Sequence, residues 1–304
     1  MICCRVEECG FVSLCATQFY RYMTDRLSQL IQAVEEADSS KLLLEAVQNL
    51  ADARLEGAIP ILIEALSYNN PGAAVAAVDG LILLGYPAVP ALLELLDTHN
   101  YTARSWAIRA LAGIGDPRGL VTMLGVATAD FAMSVRRAAV KGLGMMKWHW
   151  FPDELCEMAQ EEALDALLFV AEQDEEWVVR YAAVVGLQSL GIMTADTQPK
   201  WRPLIQTQFN IMSCNDEVLA VRGRVWLAQQ KLQQRIQEGL QKIDFHNADI
   251  SGQNISGQNT SGQNTSGQTS ESDKKKSLLT PVDWQNILNN LYEIKRQERI
   301  DSNK

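Results

Sequence analysis

The chain has 304 residues, 47% of them hydrophobic, and a formal net charge of −10. That is ample apolar material for one large domain or two, and the negative balance argues against nucleic acid as the main ligand, because phosphate neutralisation needs an excess of Lys and Arg. No apolar run reaches the roughly 18–20 residues that span a bilayer, so no membrane span is expected.

Four of the six cysteines, Cys3, Cys4, Cys9 and Cys15, fall in the first 15 residues. They include one adjacent pair and no CxxC, which supports a zinc site only weakly, and no metal is expected. A disulfide framework fares no better, since Cys156 and Cys214 stand alone and read as small buried apolar residues. The stretch also lacks the basic start, long apolar middle and small-residue cleavage site of a secretory signal. Residues 1–22 are therefore set apart as an N-terminal extension, with two readings open: translation begins at Met23, where the amphipathic pattern MTDRLSQLIQAVEEA opens, which is the preferred one, or the stretch is an ordered N-terminal segment. A reduced, cytoplasmic setting is the default.

From residue 23 to 240 the chain repeats itself. The segments EAVQNL, AAVDGL, WAIRAL, RAAVKGL and YAAVVGL end on Leu50, Leu81, Leu111, Leu143 and Leu187, at steps of 31, 30, 32 and 44 residues. AVRGRVWLA (220–228) is a sixth cognate. Each unit is too short to bury its own apolar face, so units must stack and the stack becomes the core. Small residues recur on the inner column (Ala77 and Gly80, Ala107 and Ala110, Ala139 and Gly142, Ala183 and Gly186), which lets neighbouring helices approach closely. Turn formers fall in phase with the leucines: Asn69 to Gly72, Gly85 to Pro87, Gly115 to Gly119 and Phe151-Pro152. No stretch alternates apolar and polar residues for long enough to predict a strand. The expected fold is an all-α solenoid of about six HEAT-like helix pairs.

Two units are longer than the rest. The fourth carries an aromatic insert, KWHWFP (147–152), before a helix near 154–172; the fifth carries TQPKWRP (197–203). Long connections in such arrays usually lie on one face, often the binding face. Over residues 241–277 the repeated SerGlyGlnAsn predicts a flexible linker that cannot bury enough apolar surface to fold. The last stretch, 278–304, contains WQNILNNLYEIKRQERI, which predicts an amphipathic terminal helix.

Charge is unevenly distributed. Residues 55–103 hold no Lys or Arg, whereas 104–147 hold Arg104, Arg109, Arg118, Arg136, Arg137, Lys141 and Lys147 against Asp116 and Asp130 only. An anion of modest size would find a place there, and a long polyanion would be repelled elsewhere. Beside it in sequence are Trp148, His149, Trp150, Trp177 and Tyr181. Arginine forks next to flat aromatic faces suit a planar conjugated acid. The candidate ligand-binding set is Arg104, Asp116, Arg136, Arg137, Trp148, His149, Trp150, Arg180 and Tyr181. A structural role competes for several of these. Arg104, Arg136, Arg180 and Arg222 occupy one column of successive repeats, and such a column more often ties repeat to repeat. Asp116 sits at a turn where such repeats commonly use Asp to hold the helix junction. Trp106 and Trp226 lie inside repeat helices and are expected in the core. No GxSxG, P-loop, HExxH or GxGxxG motif is present, so no catalytic residue is assigned and any chemistry rests on binding and orientation.

The runs YNNPGAAVAAVDGL (68–81), NYTARSWAIRALAGIGDPRGL (100–120) and DFAMSVRRAAVKGLG (130–144) resemble the F-type (beta) subunits of the E/F heterodimeric phycocyanobilin lyases that serve the phycocyanin alpha subunit. The resemblance covers about residues 25–230. It implies an E-type subunit as heterodimer partner, phycocyanobilin as substrate with no separate cofactor, and the phycocyanin alpha subunit as the protein whose cysteine receives the pigment through a thioether. Isomerising relatives are marked by an adjacent His-Cys pair before a proline. Trp148-His149-Trp150-Phe151-Pro152 has no cysteine beside its histidine, which implies attachment without isomerisation. Arg136→Ala or Arg137→Ala is then expected to weaken bilin transfer more than stability where the side chain points inward. Two alternatives remain open at this stage: a HEAT-like scaffold that binds phycobiliproteins without transferring pigment, and a lyase for another bilin such as phycoerythrobilin.

Overall fold

The structure is a computed structural model that describes residues 8–96, 100–252, and 286, 287, 289–291, 293, 294 and 296. Side chains are described for 21–96 and 100–238 and for the positions between 286 and 296. Among the described residues every regular element is helical, and the chain divides into two compact units, 1–114 and 115–304.

The N-terminal unit holds α1 (Glu8–Glu35), α2 (Ser40–Asp52), α3 (Ile59–Ala65), α4 (Pro71–Leu84), α5 (Val89–Leu96) and α6 (Tyr101–Ile114). Short 3-10 turns at Glu56–Ala58 and Tyr86–Ala88 open α3 and α5. Helices start where their caps dictate. Ser39 accepts from the Leu42 amide, Asn70 from Ala73 and Asn100 from Ala103, each removing one orphan N–H of a first turn. Asn70 also reaches into the preceding repeat, its Nδ2 donating to the Ser40 carbonyl at 2.8 Å and to the Ser40 hydroxyl at 3.1 Å. The small-residue column works as the sequence implies: a side chain on Gly80 would stand 2.6 Å from the Ala51 Cβ.

The C-terminal unit holds α7 (Leu120–Ala129), α8 (Met133–Gly144), α9 (Asp153–Gln173), α10 (Trp177–Met193), α11 (Trp201–Asn215) and α12 (Leu219–Gly252). Helices α8, α10 and α12 pack side by side in order, with α7, α9 and α11 as their partners. The phase-setting leucines Leu50, Leu81, Leu111, Leu143 and Leu187 are each 1% exposed or less. Successive helix pairs therefore form the HEAT-like repeats that the sequence predicts.

Two boundaries differ from expectation. Helix α1 is continuous from Glu8 through Met23, because no proline or late glycine interrupts residues 11–35. Helix α12 runs past residue 240 to Gly252, passing through Gly223 and Gly239 and ending at the start of the polar tract. The rest of the expected linker, 253–277, lies outside the described residues. Within the expected terminal helix the described positions are helical, and Ile287 and Leu291, one turn apart, are buried. Among the described residues no single helix is long and apolar enough to cross a membrane.

Candidate functional site

Arginine geometry in the C-terminal unit separates structural bases from available ones. Arg136, in the first turn of α8, grips Asp174 with two bonds, Nε to Oδ2 at 2.7 Å and Nη2 to Oδ1 at 3.0 Å, while Nη1 donates to the Asp130 carbonyl. Arg180, at the equivalent place in α10, grips Asp216 at 2.8 and 3.1 Å and donates Nη1 to the carbonyls of Asp174 and Glu175. Each pair ties the start of one repeat's second helix to the turn after the next repeat's first helix. Between the two roles open to that column, geometry gives Arg136 and Arg180 the repeat-tying one. Asp116 is likewise committed: it is 2% exposed, caps the turn through the Arg118 amide, and holds the Arg118 guanidinium at 2.9 Å through both oxygens.

The aromatic insert divides by direction. Trp148 and Phe151 turn inward, 4% and 2% exposed, with ring centroids 5.3 Å apart. His149 points to solvent and meets Trp150 edge-on at 6.0 Å, while the Lys147 ammonium lies 4.3 Å from the Trp150 ring centre. The insert is anchored where Lys147 donates to the Gly115 carbonyl at 2.9 Å. Gly115 has φ +66°, and a side chain there would press the Met145 carbonyl at 3.0 Å. Of the sequence-derived set, Trp148 is core, His149 and Trp150 remain at the surface, and Arg104 lies half-buried in α6 of the other unit.

Two expectations about buried residues are overturned. Trp226 is 61% exposed, because the buried side of α12 is formed by Val221, Val225 and Ala228. Cys214 is exposed near the end of α11. Cys156 is half-buried, with its sulfur 3.7 Å from the Trp148 carbonyl, and burial followed by the charge of Asp153 pushes its thiol pKa up, away from nucleophilic use.

The surface left for a ligand is the outer face of α8, α10 and α12. From Met133 to Gly144, from Trp177 to Met193 and from Leu219 to Gln237 there is no Asp or Glu. Helix α9, in the other layer, has Asp153, Glu154, Glu157, Glu161, Glu162, Asp165 and Glu172 and no base. On the outer face stand Met133, Arg137 and Lys141 of α8, Trp177 and Tyr181 of α10, and Leu219 and Leu227 of α12, all exposed. Arg137 and Tyr181 are repeat-equivalent positions on adjacent helices. Two clefts in this unit lie elsewhere: about 300 Å³ beside Glu172, Asp174, Asp216 and Glu217, and about 290 Å³ beside Asp130, Asp174 and Glu175. Their carboxylates would repel an anionic ligand, and their arginines, Arg180 and Arg136, are already paired. They recur because the repeat recurs, and the chemistry favours the acid-free face.

Sequence reasoning missed Arg224. It is 8% exposed, its Nη2 donates to Gln188 Oε1 at 2.8 Å, and its guanidinium carbon lies 6.0 Å from the Tyr181 ring centre. One signal could have found it. Two residues after the column arginine, earlier repeats of this unit have Ala138 and Ala182, and the last has Arg224.

Neighbours Arg136 and Arg137 now part ways. Arg137→Ala is expected to change stability by no more than about 0.5 kcal/mol, as exposed positions do, and to slow bilin transfer about tenfold, the worth of one charged hydrogen bond. Melting curves and initial transfer rates of the variant check this; wild-type transfer would remove Arg137 from the site.

Comparison with known proteins agrees with the fold. The HEAT repeats family matches residues 27–112 and 69–144. Over 92% of its length the chain is 76% identical to a phycocyanobilin lyase subunit beta of Pseudanabaena tenuis, covering 93% of that protein. It is 54% identical to the phycocyanin alpha phycocyanobilin lyase CpcF of Synechocystis sp. over 55% of this chain and 78% of that one. Among solved structures it resembles a chain in the complex of CpcE and CpcF of phycocyanin lyase from Nostoc sp. PCC7120, with TM-score 0.52, 47% identity, and coverage of 57% of this chain and 98% of that one. On these grounds the chain belongs to the family of phycocyanobilin lyase beta subunits.

Proposed function

We propose that this chain is the beta subunit of a heterodimeric lyase that attaches phycocyanobilin to a cysteine of the phycocyanin alpha subunit without isomerising it. The observation that carries it is 76% identity, across almost the whole chain, to a relative of that name. The physical chemistry agrees. Phycocyanobilin is flat and conjugated with two propionates, and the face of α8, α10 and α12 offers aromatic rings and bases with no carboxylate among them. The nucleophile is the target's thiol, whose sulfur bonds to the ethylidene carbon while its proton passes to the pigment, so the lyase supplies no nucleophile of its own. Holding pigment and thiol in one geometry supplies rate and stereochemistry through orientation. Isomerisation has no obvious agent here: Trp150 follows His149, and Cys156 faces the Trp148 carbonyl with its thiol pKa raised. An E-type subunit is the partner, and a reduced cytoplasm is the setting.

The test is co-expression of this chain with an E-type partner, phycocyanobilin and the phycocyanin alpha subunit, followed by zinc fluorescence of a denaturing gel. A fluorescent target band that requires both lyase subunits and the target cysteine is expected. Its absence with all partners folded and pigment present would sink this assignment and favour another pigment–target pair.

A further inference from the structure

We propose that Arg224 is a seat for a ligand carboxylate, with Gln188 and Tyr181 positioning its guanidinium. The proposal rests on the reading that this chain handles a bilin, and it assigns one propionate to a defined side chain.

Four other arginines of this unit show what a structural arginine looks like here. Arg118 meets Asp116, Arg136 meets Asp174, Arg180 meets Asp216 and Arg235 meets Asp196. Among the described residues Arg224 meets no carboxylate. Its Nη2 is taken by Gln188, its Nη1 is buried without a hydrogen-bond partner, and the side chain as a whole is more than nine-tenths buried. Burial lowers its pKa, and the small opposing influence comes from Tyr181 alone. An unmet donor on a buried cation is costly, and buried polar groups are nearly always satisfied by something. The fold does not require the cation, since Ala138 and Ala182 fill the same place in the two preceding repeats. A carboxylate would supply both the missing acceptor and the missing negative charge. The exposed neighbour of the guanidinium is Tyr181, 37% exposed and one helical turn from Trp177 on the acid-free face, and past its ring is the approach the proposal assigns to the ligand. A carboxylate attached to a flat conjugated body fits that approach, with the acid inward and the rings against the aromatics.

The test uses the full chain and Arg224→Met, which keeps the bulk and removes the charge. Alone, Arg224→Met is expected to melt close to wild type, because removing a buried cation that has no counter-charge offsets the loss of its hydrogen bond to Gln188; a clear loss of Tm would make Arg224 structural and overturn the proposal. Sodium glutarate at 10 mM, against sodium chloride of equal ionic strength, is expected to raise the wild-type Tm by roughly 2–4 °C and leave Arg224→Met unmoved; equal shifts in both overturn it. In the complex with an E-type subunit, wild type is expected to bind phycocyanobilin about tenfold more tightly than its dimethyl ester, and Arg224→Met to bind the two alike. Bilin binding with the preference intact in Arg224→Met would overturn the seat and leave the proposed function standing. A complex that binds neither pigment would sink the proposed function, and the glutarate shift would still decide the seat.

Discussion

Gly144→Ala is expected to destabilise the C-terminal unit by about 2 kcal/mol or more, a fall of roughly 4–8 °C in Tm. A side chain at Gly144 would stand 2.3 Å from the Gly186 Cα and 2.6 Å from its carbonyl oxygen. Both obstacles are backbone, so no rotamer change relieves them and α8 must move off α10. Overpacking of this kind costs about 3 kcal/mol, while alanine in a helix regains about 1 kcal/mol over glycine; the steric effect wins. Gly125→Ala in α7 supplies the opposite sign, because a side chain there meets nothing within 4 Å, and only the gain of about 1 kcal/mol remains. Urea midpoints of the two variants check both signs. Equal, small effects would mean that α8 and α10 do not approach as closely as described. The face proposed to hold the bilin spans these two helices, so Gly144→Ala should also lower transfer at temperatures where the unit is still folded.

Asp216→Asn should cost about 3 kcal/mol at neutral pH, near the lower end for breaking a buried ion pair. Arg180 is 14% and Asp216 4% exposed, and two backbone carbonyls still accept from Arg180 after the change. The pH dependence gives a sharper test. Burial alone would raise the Asp216 pKa, but the Arg180 hydrogen bond, the Val218 N–H and the charges of Arg180 and Arg222 outweigh it and hold it below the usual carboxylate value. A depressed folded pKa means stability that is fully present above the unfolded pKa, about 3.9, and is lost as pH falls through the lower folded one. The gap in unfolding free energy between wild type and Asp216→Asn should therefore be wide at pH 7 and shrink below about pH 4. A gap of the same size at pH 7 and pH 3 would show that the ion pair contributes nothing. Arg136→Ala belongs with this variant rather than with Arg137→Ala. Its loss is one of stability, since each of its three guanidinium nitrogens donates to Asp174 or Asp130.

Those two neighbours also mark how far sequence reaches. The repeat, its phase and its small-residue column were legible, because a leucine every 30 or so residues and an Ala or Gly at fixed offset leave helix stacking as the one way to bury the apolar surface. The family was legible too, since three contiguous runs carried its resemblance. The absence of acids from α8, α10 and the first part of α12 could also have been read from the residues, once the helices were sorted into layers.

What sequence left undecided is which way a side chain points within a helix or turn. Successive helical residues differ by about 100° in direction, so Arg136 enters a carboxylate fork while Arg137 faces solvent, and Trp148 is core while His149 is not. Trp226 is exposed and Arg224 buried, the reverse of what their hydrophobicity suggests. The neighbouring repeat fixes these directions: Gly144 against Gly186 and Gln188 against Arg224 set the rotation of each helix about its own axis. The sequence by itself determined that helices stack and in what order. Only the tertiary structure decided which residues the stack leaves to meet a ligand, because exposure depends on packing between residues some 40 positions apart.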